Sequence, residues 1–174
     1  MTPVSYPAGA SPASSDLYNS DLNSINGVAA VSASDIWAVG GYDAYNSSAG
    51  DAGVDLSGTL AEHWDGTRWS VVPVPDPSGT VDLGGDDLTA VSAFSSDDVW
   101  AVGFVGTPGA GESTSPPQLL PINTLIEHWN GNKWSVVPSP NVAARNGEPA
   151  WDLLTGISGS GPDDIWAVGT TEWV

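Results

Sequence analysis

A six-residue motif, Asp-Ile-Trp-Ala-Val-Gly at residues 35–40, has three copies in the chain and constrains the fold more than any other feature. It returns as Asp-Val-Trp-Ala-Val-Gly at residues 98–103 and as Asp-Ile-Trp-Ala-Val-Gly at residues 164–169. The motif tryptophans are Trp37, Trp100 and Trp166, so the copies follow one another at nearly equal spacing. A period of this size, kept along the chain, predicts a repeat architecture.

A second block keeps the same period. The stretch Thr59–Pro73, which contains Glu-His-Trp, returns with few changes as Thr124–Pro138. Each stretch places Asp-Gly or Asn-Gly between two short apolar runs. These pairs are the strongest short-range signal of a β-hairpin with a type I′ turn, in which both central residues have positive φ.

Each full repeat therefore predicts four short antiparallel strands. The second of them is the apolar run of the Asp-x-Trp motif, and a strand that is apolar at every position is covered on both faces. The 21 Gly and 14 Pro residues separate such runs along the chain, which favours all-β structure. Repeated four-stranded sheets are typical of a β-propeller, so the sequence predicts two full blades and a partial third.

Two segments of the first repeat also carry a resemblance to a known family. They are Val-Gly-Gly-Tyr-Asp at residues 39–43 and Trp-Ser-Val-Val-Pro at residues 69–73. They resemble the kelch repeat of galactose-oxidase-type β-propellers, in its bacterial extracellular form, over roughly residues 22–174. The resemblance implies propeller blades. It does not extend to copper chemistry, because that site needs a cysteine-linked tyrosine and the chain has no cysteine.

The period divides the chain into four segments. Residues 1–21 are a Pro-, Ser- and Ala-rich leader that is a candidate donor of one outer strand. Residues 22–87 and 88–152 each hold one blade with its exit loop. Residues 153–174 hold the first two strands of a third blade, and Trp173 is a candidate start of a third strand.

A propeller closes with about four to eight blades, so these blades do not close alone. Two explanations remain open. Flanking blades of a longer chain complete the ring, or copies of the chain join head to tail, with the leader of one copy adding a strand to the unfinished blade of the next. The candidate assembly residues are Val4 and Tyr6 in the leader and Trp173 at the other end.

The charge of the chain limits its partners. Its 21 acidic residues against three Lys and Arg give a net charge of −18, which argues against nucleic acid and against an anionic membrane surface. Few lysines and many Asp, Ser, Thr and Gly residues favour a location outside the cell or at its surface. The expected partners are other copies, flanking blades, a protein or a carbohydrate.

The histidines argue against catalysis. His63 and His128 occupy the same position in two repeats, whereas a unique catalytic site does not recur in every blade, so we interpret both as sheet residues. The long connections after the second and fourth strands are expected on one face of the blades, the long-loop face. Because loops on a rigid scaffold carry most binding residues, the sequence predicts a non-catalytic structural or interaction module that binds through this face.

Two groups of residues on the long-loop face are candidate sites. The acidic group is a candidate calcium site, the one cofactor expected, with ligands Asp82, Asp86 and Asp87. The aromatic group is expected in loops and suited to stacking on a sugar, and consists of Tyr42, Tyr45 and Trp151. The alternative function is therefore a sugar-binding propeller or a carbohydrate-active enzyme, with paired loop carboxylates about 5 to 10 Å apart as acid and base.

Overall fold

The computed structural model describes residues 22–46, 54–78, 85–107 and 121–174, and all regular structure in these ranges is β. The leader, with Val4 and Tyr6, and the acidic residue Asp82 lie outside the described residues. No helix in this part of the chain is long and apolar enough to cross a membrane. The strands are β1 (Leu22–Ser32), β2 (Asp35–Asn46), β3 (Val54–Trp64), β4 (Trp69–Val71), β5 (Asp87–Ser95), β6 (Asp98–Val105), β7 (Asn123–Trp129), β8 (Trp134–Val136), β9 (Ala150–Gly161) and β10 (Asp164–Trp173).

The strands form two four-stranded antiparallel sheets and one two-stranded sheet. Sheet 1 has the order β1-β2-β3-β4, sheet 2 has the order β5-β6-β7-β8, and the third sheet consists of β9 and β10. The pairing repeats with the sequence period, since Trp37 lies opposite His63 in sheet 1 and Trp100 lies opposite His128 in sheet 2. The predicted all-β class and the four-stranded antiparallel sheets are confirmed.

β2 and β3 extend beyond the repeated apolar runs that predict them. β2 and β3 stay paired as far as Asn46 and Val54. Tyr42 and Tyr45 therefore lie inside β2, and the prediction that they begin a loop is wrong. The Gly-, Ser- and Asp-rich sequence suggested a loop, but antiparallel pairing joins backbone groups and continues through small and polar residues.

The third sheet is also longer than predicted. β9 begins at Ala150, so Trp151 lies in a strand opposite Glu172 and not in a loop. β10 runs unbroken from Asp164 to Trp173, and Trp173 pairs with Ala150 instead of starting a third strand. The pairing of β9 with β10 continues beyond the apolar residues, because each added residue pair satisfies further backbone N–H and C=O groups.

The Gly turns join β3 to β4 and β7 to β8, but their geometry differs from the type I′ prediction. Only the glycines have positive φ, at 92° for Gly66 and 86° for Gly131. Asp65 instead accepts hydrogen bonds from the N–H groups of Thr67 and Arg68, at 2.8 and 2.9 Å. The aspartate side chain thus closes an Asx-type turn in place of a two-residue hairpin.

Sheets 1 and 2 pack face to face around tryptophan rings. The ring centroid of Trp37 on β2 lies 5.0 Å from that of Trp129 and 5.4 Å from that of Trp134. Rings of this size remove a large apolar area from water. The buried core between the two sheets also contains Val39, Ala61, Leu88, Val99, Ala101 and Leu125.

The glycine that ends each Asp-x-Trp motif lies opposite a β-bulge. In all three sheets, a Cβ added to this glycine would overlap the backbone carbonyl oxygen of the preceding strand. The register shifts at the same place, where the preceding strand carries one extra residue. Only a residue without Cβ permits this approach. The glycines are Gly40, Gly103 and Gly169.

The extra residue of each bulge extends its side chain toward the next sheet. Nδ2 of Asn26 donates to the carbonyl oxygen of Leu88 at 3.0 Å. The hydroxyl of Thr89 donates to the carbonyl oxygen of Leu154 at 2.6 Å. These equivalent bonds join sheet 1 to sheet 2 and sheet 2 to the third sheet. The corresponding Thr155 is exposed, and no partner for its hydroxyl occurs in the described ranges.

Replacing Gly103 tests whether the bulge needs a residue without Cβ. We expect Gly103→Ala to lower the free energy of unfolding by about 3 kcal/mol or more, because the added methyl group must displace backbone and not a flexible side chain. The measurement is chemical denaturation followed by tryptophan fluorescence. Gly161→Ala is the control, since an added Cβ there meets no atom within 4 Å; equal stability of the two variants would contradict this account.

Candidate interaction site

The aspartate that opens each Asp-x-Trp motif meets a histidine on the third strand of its sheet. Nε2 of His63 lies 2.8 Å from Oδ1 of Asp35, and Nε2 of His128 lies 2.8 Å from Oδ1 of Asp98. The ring centroids of the histidine and the motif tryptophan are 4.5 Å apart in sheet 1 and 4.2 Å apart in sheet 2. We call this arrangement the Asp–Trp–His set. Both histidines lie in strands, His63 in β3 and His128 in β7.

In sheet 1 the Asp–Trp–His set also joins two sheets. Oδ2 of Asp35 accepts a hydrogen bond from the hydroxyl of Ser96 in sheet 2. Burial by itself raises the pKa of Asp35, but the hydrogen bonds from Ser96 and His63 and the charge of His63 outweigh it and lower the pKa overall. The ionised carboxylate is therefore favoured as the partner of the histidine.

The third sheet holds the aspartate and the tryptophan of this set without a histidine. Nε1 of Trp166 donates to Oδ1 of Asp164 at 2.9 Å, as Trp100 donates to Asp98 at 2.8 Å in sheet 2. Ser160 donates to the other oxygen of Asp164 at 2.6 Å, and the bonds from Ser160 and Trp166 lower the pKa of this carboxyl. Within the described ranges, no strand pairs with the second edge of β10.

One face of the third sheet exposes large apolar side chains. Trp166 is 71% exposed and Val168 is 63% exposed, whereas the equivalent Trp37 is 1% exposed. The sequence predicts that the second strand of each repeat is covered on both faces, and for β10, with Trp166, that prediction is wrong. The available signal was that no Glu-His-Trp block follows the third motif. We call Trp166, Val168 and the second edge of β10 the tail face.

The opposite end of the stack exposes a second apolar surface. Val28 on β1 is 63% exposed, and its neighbour on the same side of the strand, Ile25, is also exposed. Val28 pairs with Ala38, which places it on the side of sheet 1 away from Trp37. We call Ile25 and Val28 the head face. Because both side chains lie on one side of β1, the head face is a candidate interaction surface.

Trp173, the assembly candidate at the end of β10, is distinct from the exposed pair. Its ring lies beneath the guanidinium group of Arg145, with 5.5 Å between the guanidinium carbon and the ring centroid. A contact of this geometry is a cation–π interaction. Trp173 is therefore already in contact with the linker between sheet 2 and the third sheet.

Sequence analysis did not single out a buried group of three carboxyls between sheets 1 and 2. Glu127 is fully buried, Asp86 is buried, and Asp76 is half-buried. Burial, followed by the charges of Asp86 and Asp76, raises the pKa of Glu127 to about 8. Burial and the adjacent Asp86 carboxyl also raise the pKa of Asp76. Neither carboxyl oxygen of Glu127 has a hydrogen-bond partner among the described residues.

Asp86, a candidate calcium ligand, uses both carboxylate oxygens on backbone N–H groups. It accepts from Ser78 at 3.0 Å and from Gly106 at 3.1 Å. Asp152, at the equivalent position of the next repeat, accepts from the N–H of Val142 and from a hydroxyl of β10, both at 2.6 Å. The recurrence indicates a structural role. Each aspartate connects the linker between two sheets to a residue in or directly after the second strand of a sheet.

Asp87, the second calcium candidate, opens β5, and each of its carboxylate oxygens accepts a hydrogen bond from Nδ2 of Asn26, at 2.9 and 3.0 Å. In the part of the chain that the structure describes, no group of three His, Cys, Asp or Glu residues is placed to hold a metal ion. The calcium hypothesis therefore depends on Asp82, which lies outside the described residues.

The sugar-binding candidates are not brought together. Tyr42 is half-buried and lines a shallow cleft between sheets 1 and 2, together with Asp86 and Asp87. Trp151 is half-buried on the third sheet and is not among the residues that line this cleft. The side chain of Tyr45 lies outside the described side chains. The cleft thus joins one aromatic candidate to the acidic candidates.

Calcium binding has a direct test in thermal unfolding. If Asp82, Asp86 and Asp87 hold calcium, millimolar calcium raises the melting temperature, because a ligand that binds only the folded state stabilises it. EDTA then reverses the shift, and Asp82→Asn abolishes it. An unchanged melting temperature in calcium and in EDTA would contradict the site.

The pKa of Glu127 predicts how stability depends on pH. The ordinary pKa of a glutamate is 4.5 and that of Glu127 is about 8. Between these values the folded state binds more protons than the unfolded state, so the contribution of Glu127 to stability falls as pH rises, by up to about 1.4 kcal/mol per pH unit. We expect Glu127→Gln to flatten the decline in unfolding free energy from pH 5 to pH 8.

The slope against pH is the measurement, because the glutamine amide adds a cost that does not vary with pH. Glu148→Gln removes an exposed carboxylate and serves as the matched control. We expect the control to retain the slope of the unmodified chain. Parallel slopes for all three proteins would show that Glu127 is ionised in the folded state.

Comparisons with protein-family models, with curated proteins and with solved structures find no match to this chain.

Proposed function

We propose that this chain is a non-catalytic structural and interaction module built of propeller-type blades. It binds additional β-sheets at the two outer faces of its stack of sheets. One observation carries the proposal. The tryptophan of the Asp-x-Trp motif is buried or half-buried in sheets 1 and 2, as Trp37 and Trp100, but is 71% exposed as Trp166 in the third sheet. The same side chain that packs between sheets elsewhere is thus presented to solvent.

Several features support a blade-like arrangement. The two complete sheets have the same strand order, and their second strands carry buried apolar side chains on both faces. Equivalent hydrogen bonds, from Asn26 and Thr89, join each sheet to the next. Stacked four-stranded antiparallel sheets are typical of propellers. The kelch resemblance points the same way, and the composition favours an extracellular or cell-surface location.

The tail face of one copy matches the head face of another. Within the chain, the Trp37 side of sheet 1 packs on the Val99 side of sheet 2, and the opposite side of sheet 2 packs on the third sheet. A second copy placed on the tail face would repeat this contact with its head face. Such a head-to-tail contact closes a ring or runs on as a filament. Flanking blades of a longer chain would cover the same two faces.

The cleft that holds Tyr42, Asp86 and Asp87 is the observation that favours the alternative, a sugar-binding or carbohydrate-active protein. An acid or base in such an enzyme needs a carboxylate oxygen directed at the substrate. Asp86 directs both oxygens at backbone N–H groups. Binding of a ligand through the long-loop face is compatible with the proposed non-catalytic module. Acid–base catalysis by Asp86 is not supported, because both of its oxygens accept from the backbone.

Self-association can be tested with two complementary variants. We expect the unmodified chain, of 17.8 kDa, to form particles of more than one copy in light scattering. Val168→Asp blocks the tail face and Val28→Asp blocks the head face, so each variant alone is a monomer. A mixture retains one good head and one good tail, and we expect it to form particles of two chains and no larger ones.

Val142→Asp is the control for an added charge at an exposed valine, since Val142 is 46% exposed and lies on neither face. We expect it to assemble like the unmodified chain. An unmodified chain that stays monomeric at every concentration would contradict self-association. Assembly that survives Val28→Asp and Val168→Asp would show that other surfaces are used.

A further inference from the structure

We propose that the second edge of β10 binds a β-hairpin from another polypeptide segment, whose first strand runs antiparallel to β10 and sets a histidine opposite Trp166. This inference rests on the proposed role of the tail face and specifies the chemistry of the partner. An unpaired strand edge presents free backbone N–H and C=O groups, and an added strand satisfies them. The internal repeats supply the template for the side chains.

The register of the incoming strand follows from the two complete sheets. The motif tryptophan faces a histidine in both, as Trp37 faces His63 and Trp100 faces His128. The residue before the tryptophan faces a second tryptophan in both, Trp64 in sheet 1 and Trp129 in sheet 2. The partner strand therefore carries His-Trp, with its tryptophan opposite Ile165.

The bulge glycine adds a second requirement. Gly40 faces Leu60 and Gly103 faces Leu125, and both leucines are buried. A glycine opposite leaves room for a branched apolar side chain across the strand pair. Gly169 holds the equivalent position on β10, so the partner has a leucine three residues before its histidine. The pattern Leu-x-x-His-Trp is thus the expected recognition sequence.

The acceptor for the histidine is already in place. Oδ1 of Asp98 accepts from both Trp100 and His128, each at 2.8 Å. Oδ1 of Asp164 accepts from Trp166 at 2.9 Å, so the third sheet reproduces the Asp–Trp half of this geometry. Because the indole is already held by the carboxylate, the incoming histidine needs little rearrangement of the site.

This chain does not have a spare histidine to fill the site. It contains two histidines, and both are paired with aspartates in sheets 1 and 2. A second copy could donate one only by vacating its own sheet. The leader, residues 1–21, contains no histidine. The partner is therefore a segment from outside these 174 residues with the Leu-x-x-His-Trp pattern.

The probe is a fluorescein-labelled peptide of residues 121–138, which contains β7, its turn and β8. It is titrated in fluorescence anisotropy against the full chain carrying Val28→Asp, which blocks the head face and keeps the protein from self-associating. We expect saturable binding. His128→Phe in the peptide keeps an aromatic ring but loses the bond to Asp164, and we expect it to weaken binding at least tenfold.

A double-mutant cycle identifies the site. We expect Asp164→Ala in the protein to weaken binding of the unmodified peptide about as much as His128→Phe does, and the two changes together to cost no more than either alone. Asp163→Ala, a change at the adjacent exposed aspartate, should leave binding unchanged. In parallel, the indole N–H resonance of Trp166 should shift on addition of the unmodified peptide.

Additive losses, equal affinity for the two peptides, or no binding would each overturn the inference. Displacement of the labelled peptide by an unlabelled peptide of residues 1–21 would overturn it too, because the leader would then be the occupant. Failure of the hairpin site and failure of the proposed head-to-tail contact give different results. Peptide binding with the expected coupling in a chain that never self-associates would refute that contact alone and leave the hairpin site standing.

Discussion

The close approach of the first and second strands at the bulge glycine is the constraint on which the stack depends. Because Gly40 and Gly103 have no Cβ, a carbonyl group of the first strand approaches the second strand closely, and the pairing register shifts by one residue. Because of this shift, the extra residue, Asn26 or Thr89, has no partner in the pairing register of its own sheet. Its side chain donates a hydrogen bond to the next sheet. A single backbone feature thus sets both the pairing within a sheet and the hydrogen bond between sheets.

The same stacking buries carboxyl groups, and this opposes stability. Glu127 lies in the interface of sheets 1 and 2 with a raised pKa, beside Asp76 and Asp86. The second repeat shows how the cost is avoided, because Asn141 stands at the position equivalent to Asp76 and accepts a hydrogen bond from the N–H of Thr124 at 2.7 Å. In the second repeat a neutral acceptor therefore serves at this position. The interface of sheets 1 and 2 therefore carries a proton-dependent cost, because burial raises the pKa of both Asp76 and Glu127 there.

The sequence predicted the strand order and the place of both histidines, because these follow from periodic apolar runs. It did not predict where the ladders end, since backbone pairing continues through the polar residues around Tyr42 and Trp151. It named Asp86 as a candidate calcium ligand on the long-loop face, and did not predict that the carboxylate is buried and accepts hydrogen bonds from two backbone N–H groups. Nor did it separate Trp166 from Trp37, because identical motifs differ in burial only through what packs against them.

The proposed head-to-tail contact would resemble the interface between sheets 1 and 2, because each would bury a glutamate. Glu62 is the equivalent of Glu127 in the first repeat and pairs with Ala38, on the same side of sheet 1 as Val28. Burial already raises the pKa of Glu62. A tail face packed on this side would bury Glu62 as sheet 1 buries Glu127, and desolvation favours the protonated carboxyl. The proposed head-to-tail contact would therefore be linked to proton uptake, and the loss of one negative charge at the contact would also reduce the repulsion between copies that each carry a net charge of −18.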